Sequence, residues 1–145
     1  MQGRKPIPTD IHKLKGTFCT ERHGAPRARE PVVENDLDLE PPATLTPSQA
    51  ELWRQTLENA PKHLLKRIDV GTLMVYVVAL DQHESARMAH AELEAAHGAP
   101  HVFRNRHGDL IPSPYLAIMN RAALRMLKAA SELGFTPASR PRHRG

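Results

Sequence analysis

The feature that most constrains this chain is the stretch from Asp69 to Gly98, which reads as one long helix between a capping aspartate and a terminating glycine. Its first half, Leu73-Met74-Val75-Tyr76-Val77-Val78-Ala79-Leu80, is apolar on every side. The second half is amphipathic, with Ala86, Ala89, Leu93 and Ala96 on one stripe. The first half is therefore expected at the centre of the fold. A continuous helix of about 29 residues would be a rod of ~43 Å, longer than the ~30 Å across a small domain. Neighbouring subunits, or a kink near Asp81-Gln82-His83, are needed to accommodate it.

The flanking segments continue the helical reading. Thr46-Pro47-Ser48-Gln49 has a capping threonine, a proline suited to the first helical position and a glutamine that completes a capping box. Ala50, Trp53, Leu57 and Ala60 then recur at helical spacing, and Trp53, the only tryptophan, is expected as a core anchor. Pro61 interrupts, and a short helical turn is expected around His63 to Arg67. Beyond Gly98, His101 to Ile111 holds two short candidate strands around Asn105-Arg106-His107-Gly108, consistent with a hairpin. Ser113-Pro114 opens a last helix lined by Tyr115, Met119, Ala122, Met126, Ala129 and Leu133 and ending at Gly134. The fold class is thus all-α with a possible small β-hairpin, and 145 residues suffice for one compact domain.

Charge is distributed unevenly. Residues 1–30 carry seven Lys/Arg against three acids, whereas residues 31–60 carry one Arg against six. A basic arm precedes an acidic linker, both rich in Pro, Gly and Thr and without apolar periodicity, so residues 1–44 are expected to be extended or flexible. Residues 45–134 form the helical oligomerisation core, and residues 135–145 form a tail with three arginines and no acids. The net charge of +4 favours an acidic partner such as nucleic acid without requiring one. Cys19 is the only cysteine, which excludes an intramolecular disulfide and a cysteine-rich zinc site and makes a reducing cytoplasm the default. No segment reaches the ~18 apolar residues of a membrane span, and the N-terminus lacks a signal-peptide apolar region.

Catalytic chemistry finds little support. The Gly-x-x-x-x-Gly-Lys-Ser/Thr loop that cradles phosphates is missing. Among nine histidines, His83, His90 and His97 recur every seven residues, but two helical turns set neighbours ~10.5 Å apart, too far for one zinc ion with ligands at ~2.0–2.1 Å. A polar stripe on a helix, or at a subunit interface, is the simpler reading. The carboxylate pairs Glu92/Glu94 and Asp36/Asp38 read as solvated acids. No catalytic residue, cofactor or metal ligand is assigned, and the chain is expected not to be an enzyme.

Nucleic-acid binding is better supported. Arg4, Lys5, Lys13, Lys15, Arg22, Arg27 and Arg29 lie on the arm, Arg121, Arg125 and Lys128 on the outer face of the last helix, and Arg140, Arg142 and Arg144 on the tail. Such cations neutralise phosphates and release counterions without selecting sequence. Phe18 is the only aromatic residue of the arm, which argues against base stacking, and no helix-turn-helix signature is clear.

Gly3-Arg4-Lys5-Pro6-Ile7-Pro8, Lys15-Gly16-Thr17, Arg22, Glu30-Pro31, Trp53, Asp69 and Leu133-Gly134-Phe135-Thr136-Pro137-Ala138-Ser139-Arg140 follow one another along nearly the whole chain. In that order they resemble the small terminase subunit of tailed bacteriophages, in the branch that begins with a Gly-Arg-Lys-Pro-like arm. Ser113-Pro114 stands where family members commonly have Asn-Pro, and serine caps as well. The resemblance implies a mainly helical protomer in a closed homo-oligomeric ring, acting in the host bacterial cytoplasm. Such a protein binds double-stranded phage DNA near the packaging start and regulates a separate large subunit that holds the ATPase and nuclease. An oligomeric DNA-binding transcriptional regulator is the alternative, and a histidine-dependent metal nuclease is disfavoured by the spacing above.

Overall fold

A computed structural model describes residues 9–21, 36–38, 40–98 and 101–137. The elements in chain order are α1 (Thr9–Leu14), α2 (Pro47–Asn59), a 3-10 turn (Arg67–Asp69), α3 (Val70–His97), the strands β1 (Val102–Arg104) and β2 (Leu110–Pro112), and α4 (Pro114–Glu132). The mainly helical expectation holds, as does the hairpin.

α2 starts as its sequence directs. The Thr46 hydroxyl accepts from the Gln49 amide at 3.3 Å, and the Thr46 amide donates back to Gln49 Oε1 at 3.2 Å, a reciprocal capping box with Pro47 at the first helical position. The turn after Pro61 lies later than expected. His63 adopts a left-handed backbone (φ 62), so helical geometry cannot run through it and resumes only at Arg67.

α3 is one uninterrupted helix of 28 residues, so the long element expected from the sequence is present. Asp69 stands at its N-cap but does not cap it with its side chain; Asp69 Oδ2 accepts instead from the Lys66 amide at 2.9 Å, closing the 3-10 turn. Gly98 (φ 65) ends the helix in the left-handed conformation that glycine tolerates best, donating to the Glu94 carbonyl at 2.8 Å. Leu73 and Val77 are fully enclosed, and with Trp53, Leu65 and Leu133 they form the core. The run around them is not buried on every side: Val75 is half exposed. Farther along, Ala86 and His90 are buried, Ala89 and Leu93 are half-buried, and Ala96 faces solvent.

α4 folds back along α3 through the antiparallel hairpin, whose register pairs Val102 with Pro112, Phe103 with Ile111 and Arg104 with Leu110. Asn105 shapes the turn: its Oδ1 accepts from the amides of His107 and Asp109, and Gly108 (φ 88) completes the reversal. Ala79 and Ala86 on α3, and Ala122 and Ala129 on α4, are all buried. Each pair is two helical turns apart, so small side chains recur where the helices approach.

Three parts of the chain depart from the expected boundaries. α1 lies inside the arm read as extended, and it ends in a two-bond cap: the Thr17 amide reaches the His12 carbonyl and the Gly16 amide reaches the Lys13 carbonyl, with Gly16 at φ 61. Among the described residues of the acidic linker, Asp36 pairs with Lys66 as an antiparallel bridge and the Leu37 amide donates to the Leu65 carbonyl at 3.2 Å. At the other end, Gly134 (φ 80) closes α4 with the same cap, the Phe135 amide reaching the Ala130 carbonyl. Phe135 then packs edge-on against Tyr76 at 5.5 Å, so it belongs to the core rather than to the tail.

The Asp36 carboxylate accepts from Lys66 Nζ at 2.7 Å and lies 2.6 Å from His63 Nδ1. Lys66 first, and His63 second, hold its pKa below its ordinary 3.8. Because the folded value is depressed, the contribution of this contact is fully present above 3.8 and is lost as pH falls through the lowered value. NMR titration of the Asp36 carboxyl should therefore give a midpoint below 3.8, and Lys66→Ala should move it upward. In the core, Trp53→Ala should cost about 3–5 kcal/mol and Leu73→Ala about 2–5 kcal/mol in urea denaturation, because both are enclosed on all sides.

Candidate functional site

The closeness of α3 and α4 leaves two hollows along their seam. The first, of about 600 Å³, is floored by Ala86, Ala89 and Ala122 and rimmed by Asp81, Gln82 and Ser85 of α3 and by Tyr115, Ile118, Arg121 and Arg125 of α4. The second, of about 310 Å³, lies between Gly71, Thr72 and Val75 of α3 and Arg125, Lys128, Ala129 and Glu132 of α4. Arg125 lines both, so the two hollows run along the same side of the helix pair.

The three α4 cations expected to bind DNA are therefore brought together, and all three are exposed. Their setting differs from the plain outer face anticipated, because they border the seam with α3. Arg121 Nε donates to the Ala117 carbonyl at 3.2 Å, which steadies the guanidinium along its own helix. The acid nearest the first hollow is already engaged: Asp81 accepts from Ser48 Oγ at 2.8 Å and Gln49 Nε2 at 2.9 Å, tying α3 to the start of α2. A further hollow of about 590 Å³, lined by Leu52, Gln55, Thr56, Asn59, Tyr76, Leu80 and Phe135 among others, has no charged lining and so offers phosphates no counter-charge.

On the arm, Lys13 is exposed and its ammonium lies 5.8 Å from the centre of the Phe18 ring, while Lys15 is half-buried beside the cap of α1. Phe18 thus contacts a lysine of its own arm. Arg4, Lys5, Arg22, Arg27, Arg29, Arg140, Arg142 and Arg144 lie outside the described residues.

The acid pairs have structural explanations. Asp36 is held by Lys66 and His63, Asp38 lies 4.0 Å from Arg67, and Glu92 is exposed. Glu84 and Arg87 form an exposed ion pair at 2.7 Å, which lowers the carboxyl pKa and raises that of the guanidinium.

The heptad histidines do not share one environment. His83 is half-buried, His97 is exposed with its ring against Phe103, and His90 is buried. His90 Nδ1 lies 3.0 Å from Ser113 Oγ, so the serine side chain that the sequence offers as a helix cap is turned to this ring and does not cap α4. Glu94 Oε1 lies 3.2 Å from His90 Nε2 and 3.9 Å from His101 Nδ1, and the rings of His90 and His101 stack at 5.9 Å. The seven-residue repeat does not mark this cluster. Its signal is the four-residue step from His90 to Glu94, one helical turn, with His101 three residues past the terminating Gly98.

No helix among the described residues is long and apolar enough to cross a membrane. No curated protein and no solved structure matches the chain. A family model described as "phage terminase, small subunit" matches residues 50–145, from Ala50 in α2 to the C-terminal glycine.

Proposed function

The chain belongs to the phage terminase small-subunit family, which places it in phage DNA packaging, and on that premise we propose that it binds double-stranded phage DNA through the cations bordering the α3–α4 seam. The observation that carries this reading is the convergence of Arg121, Arg125 and Lys128 beside two hollows on one side of the helix pair, with Asp81 of the first hollow already hydrogen-bonded to α2 and Glu132 the one carboxylate lining the second. Arginine and lysine so placed attract phosphate without reading bases. Arg4, Lys5, Lys13, Lys15, Arg22, Arg27 and Arg29 on the arm, and Arg140, Arg142 and Arg144 on the tail, add contacts of the same kind. The protein works without catalysis or a cofactor of its own, presenting DNA at the packaging start to the large subunit that holds the ATPase and nuclease, in the host bacterial cytoplasm.

The same reading includes a closed homo-oligomeric ring. Supporting it are large apolar side chains left outside the core on the α3–α4 pair, among them Val75 at 51%, Leu124 at 71% and Leu127 at 57% exposure. Copies of the chain would cover such residues, and a ring would multiply weak phosphate contacts.

The DNA reading is checked by salt-titrated binding. Replacing Arg121, Arg125 and Lys128 together by glutamine should weaken binding to every DNA sequence and make the log-log salt dependence shallower by roughly 0.9 per lost phosphate contact. Removing residues 138–145, which spares Phe135, should act in the same direction through Arg140, Arg142 and Arg144. An unchanged slope in both variants would exclude the seam and the tail as phosphate sites.

The ring is checked by native mass measurement. Leu124→Glu with Leu127→Glu should reduce the assembly to smaller species while circular dichroism retains the helical signal. Val77→Glu should instead unfold the chain, because Val77 is fully enclosed within the protomer. A wild-type protein that is monomeric at micromolar concentration would overturn the ring.

A further inference from the structure

We propose that His90, Glu94 and His101 form a binding site for one divalent transition-metal ion of the zinc class, fastening the hairpin to the far end of α3. The site is independent of DNA binding.

The first argument is an unused lone pair. His90 is 7% exposed, and its Nε2 is buried with no hydrogen-bond partner. The 3.2 Å approach of Nε2 to Glu94 Oε1 lacks hydrogen-bond geometry, so the carboxylate does not satisfy it. On the other side of the ring, Nδ1 is 3.0 Å from Ser113 Oγ. Placing the proton on Nδ1, donated to the serine oxygen, leaves Nε2 as a neutral lone-pair donor. This is the arrangement by which an outer hydrogen bond fixes the tautomer and ring orientation of a metal-bound histidine.

The second argument is geometric. His90 and Glu94 are one helical turn apart on α3, and Gly98 ends the helix so that the chain brings His101 back over that turn. The three donor atoms lie within 4.8 Å of one another. Two ligands of a tetrahedral zinc ion, each at ~2.0–2.1 Å, stand about 3.3 Å apart. The Glu94–His90 separation of 3.2 Å already meets that value, while His101, exposed and stacked on the His90 ring, must rotate out of that stack to turn its in-plane lone pair to the same ion and close the 3.9 Å separation from Glu94. The Ser113 amide donates to the His101 carbonyl at 2.9 Å, so the serine whose side chain orients one ligand also anchors the backbone of the other.

The donor set selects the class of ion. Two imidazoles and one carboxylate suit zinc and its neighbours, whereas magnesium and calcium prefer oxygen ligands throughout. His90 is buried, while Glu94 and His101 are accessible from solvent, giving an entry path and leaving a fourth position for water.

The experiment uses the full-length chain, stripped with chelator and re-equilibrated with zinc alone. Native mass spectrometry should show one zinc per chain, cobalt substitution should give the visible absorption of a four-coordinate site, and zinc should raise the melting temperature. His101→Ala and Glu94→Gln, both at accessible positions, should each weaken zinc binding at least tenfold and abolish the melting shift, with the metal-free melting temperature little changed. His97→Ala, next along the same helix, should bind zinc as the wild type does. No zinc uptake by the wild type, or equal uptake by the wild type and both ligand variants, would overturn the site.

Discussion

A helix of 28 residues spans ~42 Å, more than one helical neighbour of ordinary length can cover, and the rest of the fold is arranged to shield α3 along that distance. α4, with 19 residues, covers ~28 Å. The remainder is divided between the two ends of α3. At its start, Leu73 and Val77 are enclosed by Trp53, Leu65 and Leu133. At its end, the hairpin returns over the last turns and places Ser113 against His90. The apparent conflict between the rod and a small domain is thus largely answered within one protomer.

The way each segment covers α3 determines what is exposed. Alanines at the α3–α4 contact bring the two backbones close, so long side chains beside them are pushed to the margins of the seam. Arg121, Arg125 and Lys128 therefore border it rather than pointing away from α3. The same closeness explains why an apolar run such as Leu73 to Leu80 is not buried all round: one helix covers one side, and Val75 remains half exposed. Apolar composition alone reports that a segment is central, not which of its sides is covered.

Local signals in the sequence were legible where the interaction is itself local. The Thr46–Gln49 capping box, the Gly98 and Gly134 stops, the Asn105–Gly108 turn and the helical spacing around Trp53 each involve residues close in sequence, and each appears in the fold. Long-range contacts were not legible. Ser113 has the identity of a cap but turns its hydroxyl to a ring 23 residues away. Nothing in the linker's composition announced that Asp36 would reach Lys66, 30 residues on. The short α1 is a different case: Lys15-Gly16-Thr17 contains a glycine stop of the same kind as Gly134, but Ile11 and Leu14 are too few to give periodicity. In the candidate site, the seam cations were legible as a helical stripe, whereas the grouping of His90, Glu94 and His101 depended on a chain reversal that spacing within one helix does not encode.

The two ends of α3 are held by different chemistry, and this has a consequence for the seam between them. The start sits in an apolar core, whereas the far end is held by side-chain contacts among imidazole, carboxylate and hydroxyl groups. α4 begins at Ser113, within that polar cluster, and ends at Leu133, within the apolar one. Arg121 thus lies in the half of α4 nearer the polar cluster, and Lys128 in the half nearer the apolar core.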